Sequence, residues 1–227
     1  MSEVEWFRRS TWTEQDREEF NTRLNRSRRS SRAQYLRIQA GHLATAGIHE
    51  VAIQLLDHML TEYPEEIGLS SAHLAKAESL SSLGKNGPAI EEYRNAILSE
   101  RNFPNVHAYP WLSFGWFAVE KNLIDLYGEI LELFEEFGNQ LEGGFPSSLY
   151  RYWSVRSVIA DSRRDRTNAR DFAQRAIGAA AMTQSGLRYH PKVGLVECQP
   201  KWIVEKLTEL AQGDSTSVHK HPRWRIW

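Results

Sequence analysis

Histidine and cysteine are the side chains here best suited to chemistry. The histidines are His42, His49, His58, His73, His107, His190, His219 and His221. His219 and His221 are separated by one residue and could share a metal, but a site needs three or four ligands in definite geometry. No cysteine or carboxylate cluster accompanies them. Cys198, the single cysteine, follows Glu197 with no evident partner base and reads as a buried or incidental thiol. There is no H-E-x-x-H helix and no G-x-S-x-G elbow, and Gly143-Gly144 lacks the wider context of a phosphate-cradling loop. The carboxylate pairs Glu18-Glu19, Glu65-Glu66, Glu91-Glu92 and Glu135-Glu136 fall within helical patterns and are expected on wet faces. No catalytic residue, metal or cofactor is therefore expected. An enzyme would need titratable groups gathered into one pocket from separate segments.

A second group with binding potential is basic. Arg26, Arg28, Arg29 and Arg32 form a run that could meet phosphate or an acidic partner. It could equally be a solvated helix end, where cations complement the helix dipole. With Arg163, Arg164 and Arg166 these residues would carry a nucleic-acid reading, which predicts steep salt dependence. The formal net charge of −1 disfavours that reading, because general nucleic-acid binders carry a basic excess.

The elements that would position these residues are helical and repeated. From Ala33 to Glu66, Leu36, Ala40 and Leu43 recur at helical spacing. Gly47 interrupts them, Ala52, Leu56, Met59 and Leu60 form a second stripe, and Pro64 closes the unit. From Ser70 the arrangement returns: Ala77 and Leu80 precede Gly84, Ala89, Ile90, Tyr93, Ala96 and Ile97 follow it, and Pro104 closes. Glycine supplies the backbone freedom of a tight turn, small residues let helices approach, and proline ends the pair. Two weaker units follow. In one, Trp111, Gly115 and Ala118 precede Lys121-Asn122, with Tyr127, Leu131 and Phe134 after it. In the other, Trp153, Ser157 and Ala160 precede the turn Ser162 to Asp165, with Ala169, Ala173 and Ala176 after it.

The pattern resembles the tetratricopeptide repeat, a helical hairpin of about 34 residues. The matching residues are Ala40, Gly47, Ala52, Leu56, Met59 and Pro64, then Ala77, Gly84, Ala89, Tyr93, Ala96 and a displaced Pro104. It departs from the family at Leu36 and His73, where aromatic residues are common. The resemblance implies an all-α superhelix of about four hairpins with capping helices, and a concave face lined by the first helix of each hairpin. That face would present Gln34, Arg37 and Gly41, then Ser71, Leu74 and Glu78, then Tyr109, Leu112 and Trp116, and finally Arg151, Val155 and Val158. Tryptophan, tyrosine and arginine are the residues that most often carry interface energy. The expected partner-binding set is Gln34, Arg37, Glu78, Tyr109, Leu112, Trp116, Arg151 and Val155. The chaperone-binding members of the family use a lysine–asparagine clamp; Gly41 and Ala75 stand where it needs polar side chains.

The flanks complete the organisation: an N-terminal capping helix within 1–32, repeats over 33–182, and a connector, capping helix and tail over 183–227, in one domain. Thr11 and Glu14 have capping-box spacing, with Thr13 a rival cap. The period fails from Thr183 to Pro200, where a connector with a brief strand is expected. A last helix is expected from Pro200 to Ala211, burying Trp202, Ile203, Leu207 and Leu210. Trp224, Ile226 and Trp227 would dock on the body or engage a partner. No signal-peptide pattern and no run near the ~20 apolar residues of a membrane span is present. With one cysteine, this leads to the expectation of a cytoplasmic, non-catalytic protein-binding adaptor. A sharper version is a dedicated inhibitor, such as an immunity protein that neutralises a bacterial toxin.

Overall fold

The computed structural model describes residues 5–65 and 67–212. These residues are all-helical, with ten α-helices, two short 3-10 turns and no strand among them. The helices are α1 (Glu14–Arg26), α2 (Arg29–Thr45), α3 (His49–Glu62), α4 (Leu69–Ser82), α5 (Asn86–Asn102), α6 (Pro110–Glu120), α7 (Tyr127–Phe137), α8 (Pro146–Ser162), α9 (Arg166–Ala180) and α10 (Lys201–Gln212). Among the described residues no helix is long and apolar enough to cross a membrane. The chain forms two compact units, which meet in sequence between Phe114 and Gly115, inside α6.

Four helix pairs, α2/α3, α4/α5, α6/α7 and α8/α9, are joined by the same turn. In each, one residue adopts the left-handed conformation: Gly47 (φ 81°), Gly84 (φ 72°), Asn122 (φ 53°) and Arg164 (φ 62°). The next residue then donates its N–H back to a carbonyl five positions earlier. The bonds are Ile48 to Leu43 (2.9 Å), Lys85 to Leu80 (2.9 Å), Leu123 to Ala118 (2.8 Å) and Asp165 to Ala160 (2.9 Å). This is the six-to-one bond of a Schellman cap, which satisfies a helix-end carbonyl while reversing the chain. The accepting carbonyls fall 37, 38 and 42 residues apart, a longer step than the family's usual repeat.

In the first unit the core gathers Phe20, Leu24, Leu36, Ala40, Leu43, Ala52, Leu56 and Met59, all buried. Thr13, rather than Thr11, caps α1. Its hydroxyl accepts from the Asp16 N–H (3.2 Å), while the Asp16 carboxylate accepts from the Thr13 N–H (2.9 Å). The basic run divides at Ser27, between α1 and α2. Arg32 folds back and donates to the carbonyls of Ser27 (3.2 Å) and Asn25 (2.7 Å), as a helix end would have it.

In the second unit a stripe of alanines on α9, Ala169, Ala173 and Ala176, brings α8 close enough for the Ser157 hydroxyl to donate to the Ala169 carbonyl (2.8 Å). Ile203 and Leu207 of α10 close this core against Tyr150. The connector from Ala181 to Pro200 consists of turns rather than the expected strand. It is pinned where the Ser147 N–H meets the Gly194 carbonyl (2.9 Å), at the start of α8. The tail carrying His219, His221, Trp224, Ile226 and Trp227 lies outside the described residues.

Candidate interaction surfaces

The partner-binding residues proposed from sequence separate by burial. Gln34, Glu78 and Arg151 are exposed, and Arg37, Tyr109 and Trp116 are partly buried. Leu112 (4% exposed) and Val155 (0%) are core residues, so their side chains offer nothing to a partner. For these two, packing between helices outweighs the inward direction that the repeat register assigned. Tyr109 has a left-handed backbone (φ 53°), and its ring stacks on His107 (5.8 Å).

The structure brings three of the expected elements of the second unit together. Trp116 on α6 lies 6.1 Å from Tyr150 on α8 and 5.8 Å from Trp202 on α10, measured between ring centroids. The Arg151 guanidinium sits 5.6 Å over the Trp116 ring. Among the described residues no carboxylate pairs with Arg151, so its charge faces solvent above an aromatic floor. A guanidinium on an aromatic face keeps its hydrogen-bonding edge free for a ligand. Trp116 and Arg151 belong to the set expected from sequence; Trp202 was expected buried in the capping helix and is partly exposed.

Two polar assemblies in the first unit were not read from sequence. Lys76 on α4 meets Asp57 of α3 (2.6 Å) and Glu92 of α5 (2.8 Å), and Glu92 also meets His73 Nδ1 (2.6 Å). Burial would raise the Glu92 pKa, but His73 and Lys76 hold it below the usual carboxylate value. Burial would likewise lower that of Lys76, and the two carboxylates raise it instead. Glu92 is thus partly buried in a three-helix network, which corrects its expected place on a wet face. The signal available was the spacing of His73 and Lys76, which share one side of α4.

The second assembly centres on Glu100 (2% exposed). Its Oε2 accepts the N–H groups of Ala108 (2.7 Å) and Tyr109 (3.2 Å), ahead of α6. Burial raises its pKa, and the two N–H groups oppose that rise. Here a carboxylate eight residues upstream binds the loop that enters a helix, and no local motif announces it.

No protein-family model matches the chain, and no curated protein or solved structure matches it. Other chemistry in the second unit is spent internally. A cleft of about 600 Å³ beside α9 and α10 is lined by Asp161, Arg166, Arg170, Asp171, Lys206 and Glu209. Its charges largely engage one another: Lys206 meets Asp161 (2.9 Å) and Glu209 (3.7 Å), and Arg170 donates to the Ala211 carbonyl (3.2 Å). Cys198 is an exposed free thiol, not a buried one. Among the described residues no three His, Cys, Asp or Glu side chains cluster as a metal site would need.

Proposed function

We propose that the protein is a tetratricopeptide-like scaffold, a superhelix of four hairpins with capping helices, that binds a partner protein and performs no catalysis. The observation that carries this reading is the Trp116–Arg151–Trp202 surface. It is built from α6 and α8, the first helices of two hairpins, and from the capping helix α10. The repeat resemblance places α6 and α8 on the concave, binding side, and α10 is the helix expected to cap the array. Aromatic side chains partly buried at the base and an arginine with its edge free are the make-up of an interface hot spot.

The reading is tested by capturing partners from the native host with the unaltered protein and with an Arg151→Glu/Trp202→Ala variant that circular dichroism shows to be folded. One stoichiometric protein, lost with the variant, is the expected result. A partner retained undiminished would remove this surface from the binding site, and enzymatic turnover by the purified chain would remove the scaffold reading altogether.

A further inference from the structure

Residues 5–12 lie on α1 and α2 in the manner of a bound peptide. The Gln39 side chain, wholly buried on α2, makes two reciprocal bonds to the main chain of one residue. Its Oε1 accepts the Arg9 N–H (3.1 Å), and its Nε2 donates to the Arg9 carbonyl (2.8 Å). A primary amide placed this way reads a main chain whatever its side chain. The Arg9 guanidinium is held by the carboxylates of Asp16 and Glu19, both on α1. Charge-assisted pairing to two acids selects a cation, and arginine's fork suits it best.

The flanking side chains are read by rings. Trp6 lies 4.9 Å from Tyr35 and 5.3 Å from Phe20, and Phe7 lies 4.7 Å from Tyr35. Trp12 approaches Phe20 at 5.5 Å. Among the described residues, the segment's only main-chain to main-chain bond runs from the Arg8 N–H to the Glu5 carbonyl (2.8 Å). The helices therefore hold it by side chains alone, through one amide, two acids and a pair of aromatic faces. That is a complete reader for a short sequence, in contrast to the backbone-bonded caps that join the hairpins.

We propose that the α1–α2 surface is a peptide-docking site, which residues 5–12 fill as a ligand in cis. In trans it takes a segment of a partner protein that turns at two adjacent aromatic residues and carries an arginine two positions after the second. The tethered segment competes at an effective concentration on the order of millimolar. A partner therefore engages only when it outbids that tether, which makes the segment a threshold on recognition. This site is independent of the Trp116–Arg151–Trp202 surface, so either can stand if the other falls.

The test uses the full chain carrying Trp6→Ala, Phe7→Ala and Arg9→Ala, which loosen the segment and leave its site intact, with a fluorescein-labelled peptide of sequence EWFRRSTW. Saturable binding by fluorescence anisotropy is expected, at least about tenfold weaker to the unaltered chain, whose own segment competes. Adding Gln39→Leu to the loosened variant should also weaken binding at least about tenfold, because the backbone-reading bonds are lost. Absence of saturable binding to a folded variant would overturn the proposal, as would indifference to Gln39→Leu. If the loosened variant does not fold, hydrogen exchange on the unaltered chain decides. The Arg9 amide is expected to open at least about a hundredfold more readily than the buried amides of α2. Exchange of Arg9 only together with α2 would make the segment inseparable from the fold and end the proposal.

Discussion

The two units solve one geometric problem with different residues. In the first, both hairpin turns place glycine in the left-handed position, at Gly47 and Gly84. In the second, the same conformation falls on Asn122 and Arg164. The cap bonds differ by no more than 0.1 Å across all four. Turn geometry is thus dictated by the helices it joins and by the satisfaction of their terminal carbonyls, and the residue type sets only how much strain the turn stores. The units differ again in how their first helices meet their second. Gly41 on α2 has open space where a Cβ would be, whereas a Cβ on Gly115 of α6 would come within 2.8 Å of Phe134 on α7.

The largest effect that would sharpen this comparison comes from those two glycines. Gly115→Ala forces the ring of Phe134, which is 1% exposed, out of place. It should cost about 1–3 kcal/mol of stability by urea denaturation. Gly41→Ala should instead stabilise by up to about 1 kcal/mol, since it adds helix propensity without a clash. Equal effects at the two positions would break the contrast.

A smaller effect is expected at the turns. Gly84→Ala should lose about 1 kcal/mol, and Arg164→Gly should gain a similar amount, because each changes the residue that bears the left-handed strain. Neither a Gly47 nor a Gly84 Cβ would meet any atom within 4 Å, so the backbone term is isolated there. A gain at Arg164 that failed to appear in thermal melts would mean that its side chain repays the strain.

A further effect is electrostatic and belongs to the first unit. The Asp16 carboxyl is held down to about 2, first by the Thr13 N–H and then, against its burial, by the hydroxyls of Thr13 and Thr11 and by Arg9. Its stabilisation is present above the ordinary value of 3.8 and is lost as pH falls toward 2. Asp16→Asn should flatten the dependence of the melting temperature on pH across that window, with little change in slope above it.

How legible all this was in the sequence follows the same division. Gly47 and Gly84 mark their turns openly, so the first two reversals could be placed to the residue, although α2 begins at Arg29, four residues before the expected start of its unit. Asn122 and Arg164 do not advertise a left-handed backbone, and the later units were located by their apolar spacing instead. Leu112 and Val155 were assigned to a binding face because a repeat register gives direction but not depth. The Glu100 and Gln39 contacts were invisible, since each joins a side chain to a main chain 8 and 30 residues away. Trp116 and Arg151 drew notice singly, as aromatic and cationic residues on first helices, and their contact with each other was not legible.

The four identical caps also give the chain two kinds of joint. Inside each hairpin the reversal is locked by a bond of fixed span, so no residue can be added or removed without breaking it. Between hairpins no such cap recurs, and the step from one cap to the next runs from 37 to 42 residues, mostly through helix length, since α6 has 11 residues and α8 has 17. Variation in length over descent should therefore collect in the helices and around 138–145, while the hairpin reversals, and the 103–109 loop that Glu100 binds, keep their count. The reversals are the fixed points of the chain, and the stretches between them absorb its changes of length.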